Sequence, residues 1–193
     1  MSQNKINTRS RRENSRYQSS RIAFCGLMAA LSVVLMLSGG LIPIATYCVP
    51  MMAGILLLPI MVEYGKKSAW TTFAAVSLIV LLLGIDKEAA AFYLFFGCYP
   101  LIKCEIDRIR NKLFLFLIKL FIFNIALLAM YALLGLVLNM DALVQEFLVM
   151  GTWLLLLFVL FFNLCLFLFD RLLVPLIILY VHKIRPRLRF LKR

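Results

Sequence analysis

Long apolar runs broken by short polar stretches organise the chain, and the runs are apolar all round rather than along one stripe. A helix of that kind faces lipid or a very large core. Residues 22–42 are long enough to cross a bilayer and predict span one. A loop without charge follows, carrying Pro43, Thr46, Tyr47 and Pro50. Span two runs over about 48–62, contains Pro59, and ends at Glu63, Tyr64, Gly65, Lys66 and Lys67. Span three covers 68–85, and Asp86, Lys87 and Glu88 separate it from span four at 89–102. Span five is predicted over 113–138 and span six over 147–169. Asp170 and Arg171 interrupt the last run before 172–181, which holds Pro175.

Span four is short. Fourteen residues rise only about 21 Å, against a hydrocarbon layer of about 30 Å. It is expected to extend through Ile106, with Lys103 snorkelling to the interface. Joining spans three and four would bury Asp86, Lys87 and Glu88 in mid-membrane, so two spans are expected.

Composition agrees with a lipid environment. Of 193 residues, 64% are hydrophobic and 16% charged, whereas a soluble domain has about a quarter charged. That length holds one domain of about six crossings and no second folded unit. The net charge of +12 is concentrated at the ends. Lys5, Arg9, Arg11, Arg12, Arg16 and Arg21 precede span one; Lys183, Arg185, Arg187, Arg189, Lys192 and Arg193 follow the last run. Nucleic-acid binding needs such charge on a structured, base-reading face; here it flanks lipid-spanning segments. Residues 1–20 are therefore expected to be a disordered basic cytoplasmic tail, 21–182 the membrane domain and 183–193 a second basic tail.

Topology follows from the cations. Loops after odd spans carry Lys87 together with Asp86, Glu88, Asp141 and Glu146; loops after even spans carry Lys66, Lys67, Lys103, Arg108, Arg110 and Lys112. Positive charge marks the cytoplasmic side. The expectation is an all-α polytopic bundle of six transmembrane helices in the cell membrane, with both termini cytoplasmic.

Candidate chemistry is sparse. The five cysteines form no CxxC pair and His182 is the one histidine, so no metal site or cofactor is implied. Neither a P-loop lysine motif nor a G-x-S-x-G elbow occurs. A non-enzymatic role is expected. Cys25 with Ala29, and Gly26 with Ala30, form a small-residue face on span one that lets another helix approach. Taken alone, the face is explained better by tight packing within the protein's own bundle.

Asp86, Lys87 and Glu88 open span four, and capping alone accounts for the two acids. Ala89, Ala90 and Ala91 follow, then Tyr93, Phe96 and Tyr99 at three-residue intervals. Small residues leave room and the aromatics offer a wall with polar tips. A ligand site and a cap over core packing both remain open. Tyr131 and Trp153 lie toward the same outer side and are candidates to join it, while Asn124 and Asn163 suggest interhelical partners. On the inner side Glu63, Lys103, Lys119, Asp170 and Arg171 are expected to form a structural charge belt, with Lys119 reaching back to Asp170.

The arrangement resembles the substrate-binding S components of energy-coupling factor (ECF) transporters, small bacterial membrane proteins of about six helices that capture vitamins or other micronutrients. The residues 21–32 (RIAFCGLMAALS), the loop 42–50, residues 60–67 (IMVEYGKK), Asp86-Lys87-Glu88 and Phe169-Asp170-Arg171-Leu172 carry the likeness. In that family an AxxxA face on helix one docks on a transmembrane coupling subunit. Here Cys25 or Gly26 stands where the first Ala is expected, with Ala29 and Ala30 following. The resemblance implies a substrate site near the outer face at Tyr47, Asp86, Lys87, Glu88, Tyr93, Tyr131 and Trp153. It also implies a coupling subunit and separate ATPases as partners. The alternative is a membrane scaffold that recruits partners through span one and the basic tails.

Overall fold

The computed structural model describes residues 2–39, 45–83, 86–107, 109, 111–136 and 151–186. Eight α-helices and a closing π-turn make up these residues, with no strand among them. They are α1 (Ser2–Gly39), α2 (Ala45–Ile55), α3 (Leu57–Tyr64), α4 (Lys66–Leu83), α5 (Lys87–Phe96), α6 (Tyr99–Ile106), α7 (Lys112–Leu136) and α8 (Thr152–Leu179). The π-turn is Tyr180–Ile184. Arg108, Arg110, Asp141, Glu146, the start of span six and residues 187–193 lie outside the described residues.

Among the described residues, five helical stretches are long and apolar enough to cross a membrane: Ser15–Gly39, Thr46–Tyr64, Lys66–Leu83, Lys112–Leu133 and Thr152–Ile184. The protein is therefore all-helical, consistent with a multi-pass membrane protein. The segment expected as span four is instead a pair, α5 and α6, separated by a turn at Gly97 and Cys98. It does reach Ile106, as expected.

Two breaks share one cause. Proline has no N–H to give the carbonyl four residues back, and its ring crowds that carbonyl. α2 ends at Ile55, four residues before Pro59, and α5 ends at Phe96, four residues before Pro100. Pro100 then occupies the first turn of α6, where a missing donor costs nothing, and the ladder restarts from the Cys98 carbonyl. Gly65, at φ +83°, makes the reversal from α3 into α4, a conformation that strains residues bearing Cβ.

Two sequence expectations change. The tail at 2–20, predicted to be disordered, is the first half of α1. No Gly or Pro occurs before Gly26, and Arg, Lys, Gln and Glu propagate a helix readily. Asp170 and Arg171 do not interrupt the last run either, because α8 continues through them and through Pro175 to Leu179. A buried charge with partners leaves the backbone ladder intact.

α5 lies at the centre. Ala89, Ala90 and Tyr93 belong to one apolar cluster with Phe24, Ala53, Leu57, Ile60, Phe73 and Val76. Ala91, Phe92 and Phe96 belong to a second, with Leu58, Phe123, Met130, Phe162 and Leu166. The short side chains of three successive alanines let α2, α4 and α7 close in on both sides. A backbone-to-backbone crossing lies at Gly54, where a Cβ would stand 2.9 Å from the carbonyl oxygen of Gly97. Only glycine permits that approach. The outer surfaces of α7 and α8 are Leu and Phe, including Leu113, Phe114, Phe121, Leu128, Leu156 and Leu160, all exposed. Water would reject such a surface; lipid accepts it.

Candidate functional site

Polar side chains gather at the two opposite ends of the bundle. At one end, Asp86 caps α5: Oδ1 accepts from the Glu88 and Ala89 amides at 3.0 and 3.2 Å. Its Oδ2 accepts from the Thr46 hydroxyl at 3.0 Å, which ties the start of α2 to the start of α5. One residue further along α2 and two further along α5, the Tyr47 hydroxyl donates to Glu88 Oε1 at 2.7 Å. The Tyr131 hydroxyl of α7 lies beside both Tyr47 and Glu88. Tyr47 also sets its ring edge-on against Phe92, 5.5 Å between centroids. Three helices thus converge on one half-buried carboxylate. Among the described residues neither Asp86 nor Glu88 has an ion-pair partner.

The predicted site residues separate here. Tyr47, Asp86, Glu88 and Tyr131 come together, and Lys87 stands exposed next to them. Tyr93 does not join, because it is fully buried on the other side of α5 with its ring 5.4 Å from Phe73. Trp153 does not join either; it is 87% exposed at the start of α8. Phe96 is core, stacked on Phe92. Thr46 was missed, and its signal was a hydroxyl neighbour to Tyr47 in an otherwise apolar loop.

The opposite end holds a closed charge knot. Asp170 accepts from Lys103 and, at 2.6 Å, from the Tyr99 hydroxyl through Oδ1, and from Lys119 at 2.9 Å through Oδ2. Asp107 meets the same two lysines, Lys103 at 3.0 Å and Lys119 at 2.7 Å. Two carboxylates and two ammonium groups therefore alternate, pinning α6, α7 and α8 together. Lys103, Lys119 and Asp170 are all buried.

The expected Lys119–Asp170 contact is present, and Arg171 points away from its neighbour, exposed. Glu63 is elsewhere, paired with Arg185 at 2.9 Å. Tyr99 and Asp107 were missed. Tyr99 was placed with the outer aromatic wall, but the turn at Gly97 and Cys98 carries it to the charged end. Between the two ends, Asn124 and Asn163 exchange reciprocal amide hydrogen bonds of 3.2 and 3.3 Å, the interhelical pairing their position suggests.

The small-residue face of α1 divides. Cys25 and Ala29 pack on the first core cluster, while Gly26 and Ala30 are exposed. A Cβ at Gly26 would meet nothing within 4 Å. Among the described residues no three His, Cys, Asp or Glu side chains converge as a metal site requires.

No protein-family model matches the chain, and no curated protein or solved structure matches it.

Proposed function

We propose that this chain is the substrate-capturing subunit of a multi-subunit importer, similar to an ECF S component. On this reading it crosses the cell membrane six times, α5 and α6 forming the fourth crossing, with both termini cytoplasmic. The lysine-rich end of the bundle then faces the cytoplasm, in line with the charge bias of membrane proteins.

The observation that carries the proposal is the Tyr47–Glu88–Tyr131 constellation. A carboxylate at a helix start, bonded to a neutral phenol rather than to a cation, can exchange that bond for a ligand's donor at modest cost. A small polar or amphipathic nutrient with an N–H or O–H group fits this chemistry. The exposed Gly26 and Ala30 offer a smooth strip for a coupling subunit. Separate ATPases would supply the energy.

The test is native mass spectrometry of the purified protein. A small-molecule adduct is expected in the wild type and lost in Glu88→Gln; a pocket that accepts no metabolite in either form refutes capture. Gly26→Leu with Ala30→Leu should abolish co-purification of a coupling subunit while sparing the adduct.

One observation favours a second reading, a membrane scaffold. α1 continues as helix from Ser2 to the start of its apolar run near Ser15, about four turns whose sequence includes Lys5, Arg9, Arg11 and Arg12. Partner recruitment that survives Glu88→Gln without any bound metabolite would select it.

A further inference from the structure

A cavity of about 1110 Å³ lies between α7 and α8. It exceeds the roughly 300–1,000 Å³ of a small-molecule pocket, and its two parts differ in chemistry. Leu115, Phe116, Leu157, Leu160, Leu164 and Phe167 form an apolar wall, and most of them are also exposed on the lipid-facing surface. At the lysine-rich end the lining is charged.

The charges there do not balance. Lys103, Lys112, Lys119 and Arg171 line the cavity against Asp107 and Asp170, four cations to two carboxylates. Lys103 and Lys119 are each shared between the two carboxylates. Lys112 and Arg171 are exposed and make no ion pair among the described residues. Two surplus cations thus stand where an apolar groove meets its polar end. From Leu160 to Arg171 the helix rises about 16 Å, close to half of the ~30 Å hydrocarbon layer. The groove is as deep as one leaflet.

We propose that the α7–α8 cleft holds an anionic phospholipid, its phosphate at Lys112 and Arg171 and an acyl chain along the Leu160–Leu164 wall. The phosphate supplies the missing negative charge, and the chain covers apolar surface that is exposed among the described residues. The knot of Lys103, Asp107, Lys119 and Asp170 forms the floor of the headgroup site. This site is distinct from the Glu88 end and stands whether or not that end captures a nutrient.

The experiment uses the full chain in nanodiscs of phosphatidylglycerol and phosphatidylcholine in equal parts, followed by extraction in mild detergent and native mass spectrometry. The wild type should retain one phosphatidylglycerol in about ten-fold preference to phosphatidylcholine. Lys112→Gln with Arg171→Gln should abolish the preference, and Leu160→Trp should remove both lipids by filling the wall. Inorganic phosphate alone should not displace the lipid. Equal retention of the two lipids by the wild type overturns the proposal, as does an unchanged preference in the double variant. Full displacement by phosphate would identify a free-anion site instead, and a co-purified polypeptide in place of lipid would identify a protein interface. Should the double variant fail to fold, unaltered lipid retention in Leu160→Trp is sufficient to reject the idea.

Discussion

Both ends of the bundle contain a tyrosine bonded to a carboxylate. Tyr47 donates to Glu88 at 2.7 Å, and Tyr99 donates to Asp170 at 2.6 Å. The surroundings differ. Asp170 is buried and faces two ammonium groups, so its charge is neutralised inside the protein. Glu88 is half-buried, has no ion-pair partner among the described residues, and keeps company with phenols. A group whose partners are all internal holds helices in place. One that relies on neutral partners can exchange them at lower cost, which is the basis of the proposed capture site. The comparison separates charge satisfied within the bundle from charge left without a counter-ion more sharply than residue type does.

The largest effect is expected where the charges are most dependent on one another. Asp170→Asn leaves Lys103 and Lys119 to share Asp107 alone. Breaking a buried ion pair from one side costs about 3–5 kcal/mol, so folded, monodisperse yield on gel filtration should collapse. Wild-type yield and thermal stability would show that the knot is not structural. Next comes the crossing that joins the two ends: Gly54→Val drives its side chain into the Gly97 backbone. A cost of about 1–3 kcal/mol is expected, visible as earlier thermal unfolding in detergent.

A matched pair tests the comparison directly. Tyr99→Phe removes a donor from a buried carboxylate and should cost about 1.5–3 kcal/mol, whereas Tyr47→Phe at the half-buried Glu88 should cost about 1 kcal/mol or less. Equal losses in the two unfolding curves would erase the distinction. Smallest of all, Trp153→Ala should change stability by less than about 0.5 kcal/mol, because the ring packs on little within the protein. It should also leave any adduct untouched, and loss of the adduct would return Trp153 to the site.

Much of the scaffold was legible without coordinates. α4 at 66–83 and the start of α7 at Lys112 fall within two residues of their expected positions. In lipid every backbone polar group must be satisfied within the segment, so a long apolar run between charges is already a helix. The Asp86 cap was legible for the same reason, as a local interaction between a side chain and the next amides. The pairing of Lys119 with Asp170 was readable because few partners exist at that depth.

What tertiary structure alone decided is which way each side chain turns. Tyr93, Tyr99, Tyr131 and Trp153 looked alike as aromatics near an end, yet one is core, one belongs to the knot, one meets Glu88 and one faces outward. That assignment depends on the rotation of each helix about its axis, which helices apolar all round leave unspecified. It depends also on the turn at Gly97 and Cys98, which resets the register between α5 and α6. Sequence determined that these segments are apolar helices ended by charge, because hydrogen bonding along a helix is local. Packing across α2, α5, α6, α7 and α8 determined which charges meet, because partners as far apart as Lys103 and Asp170 are joined only once the bundle closes.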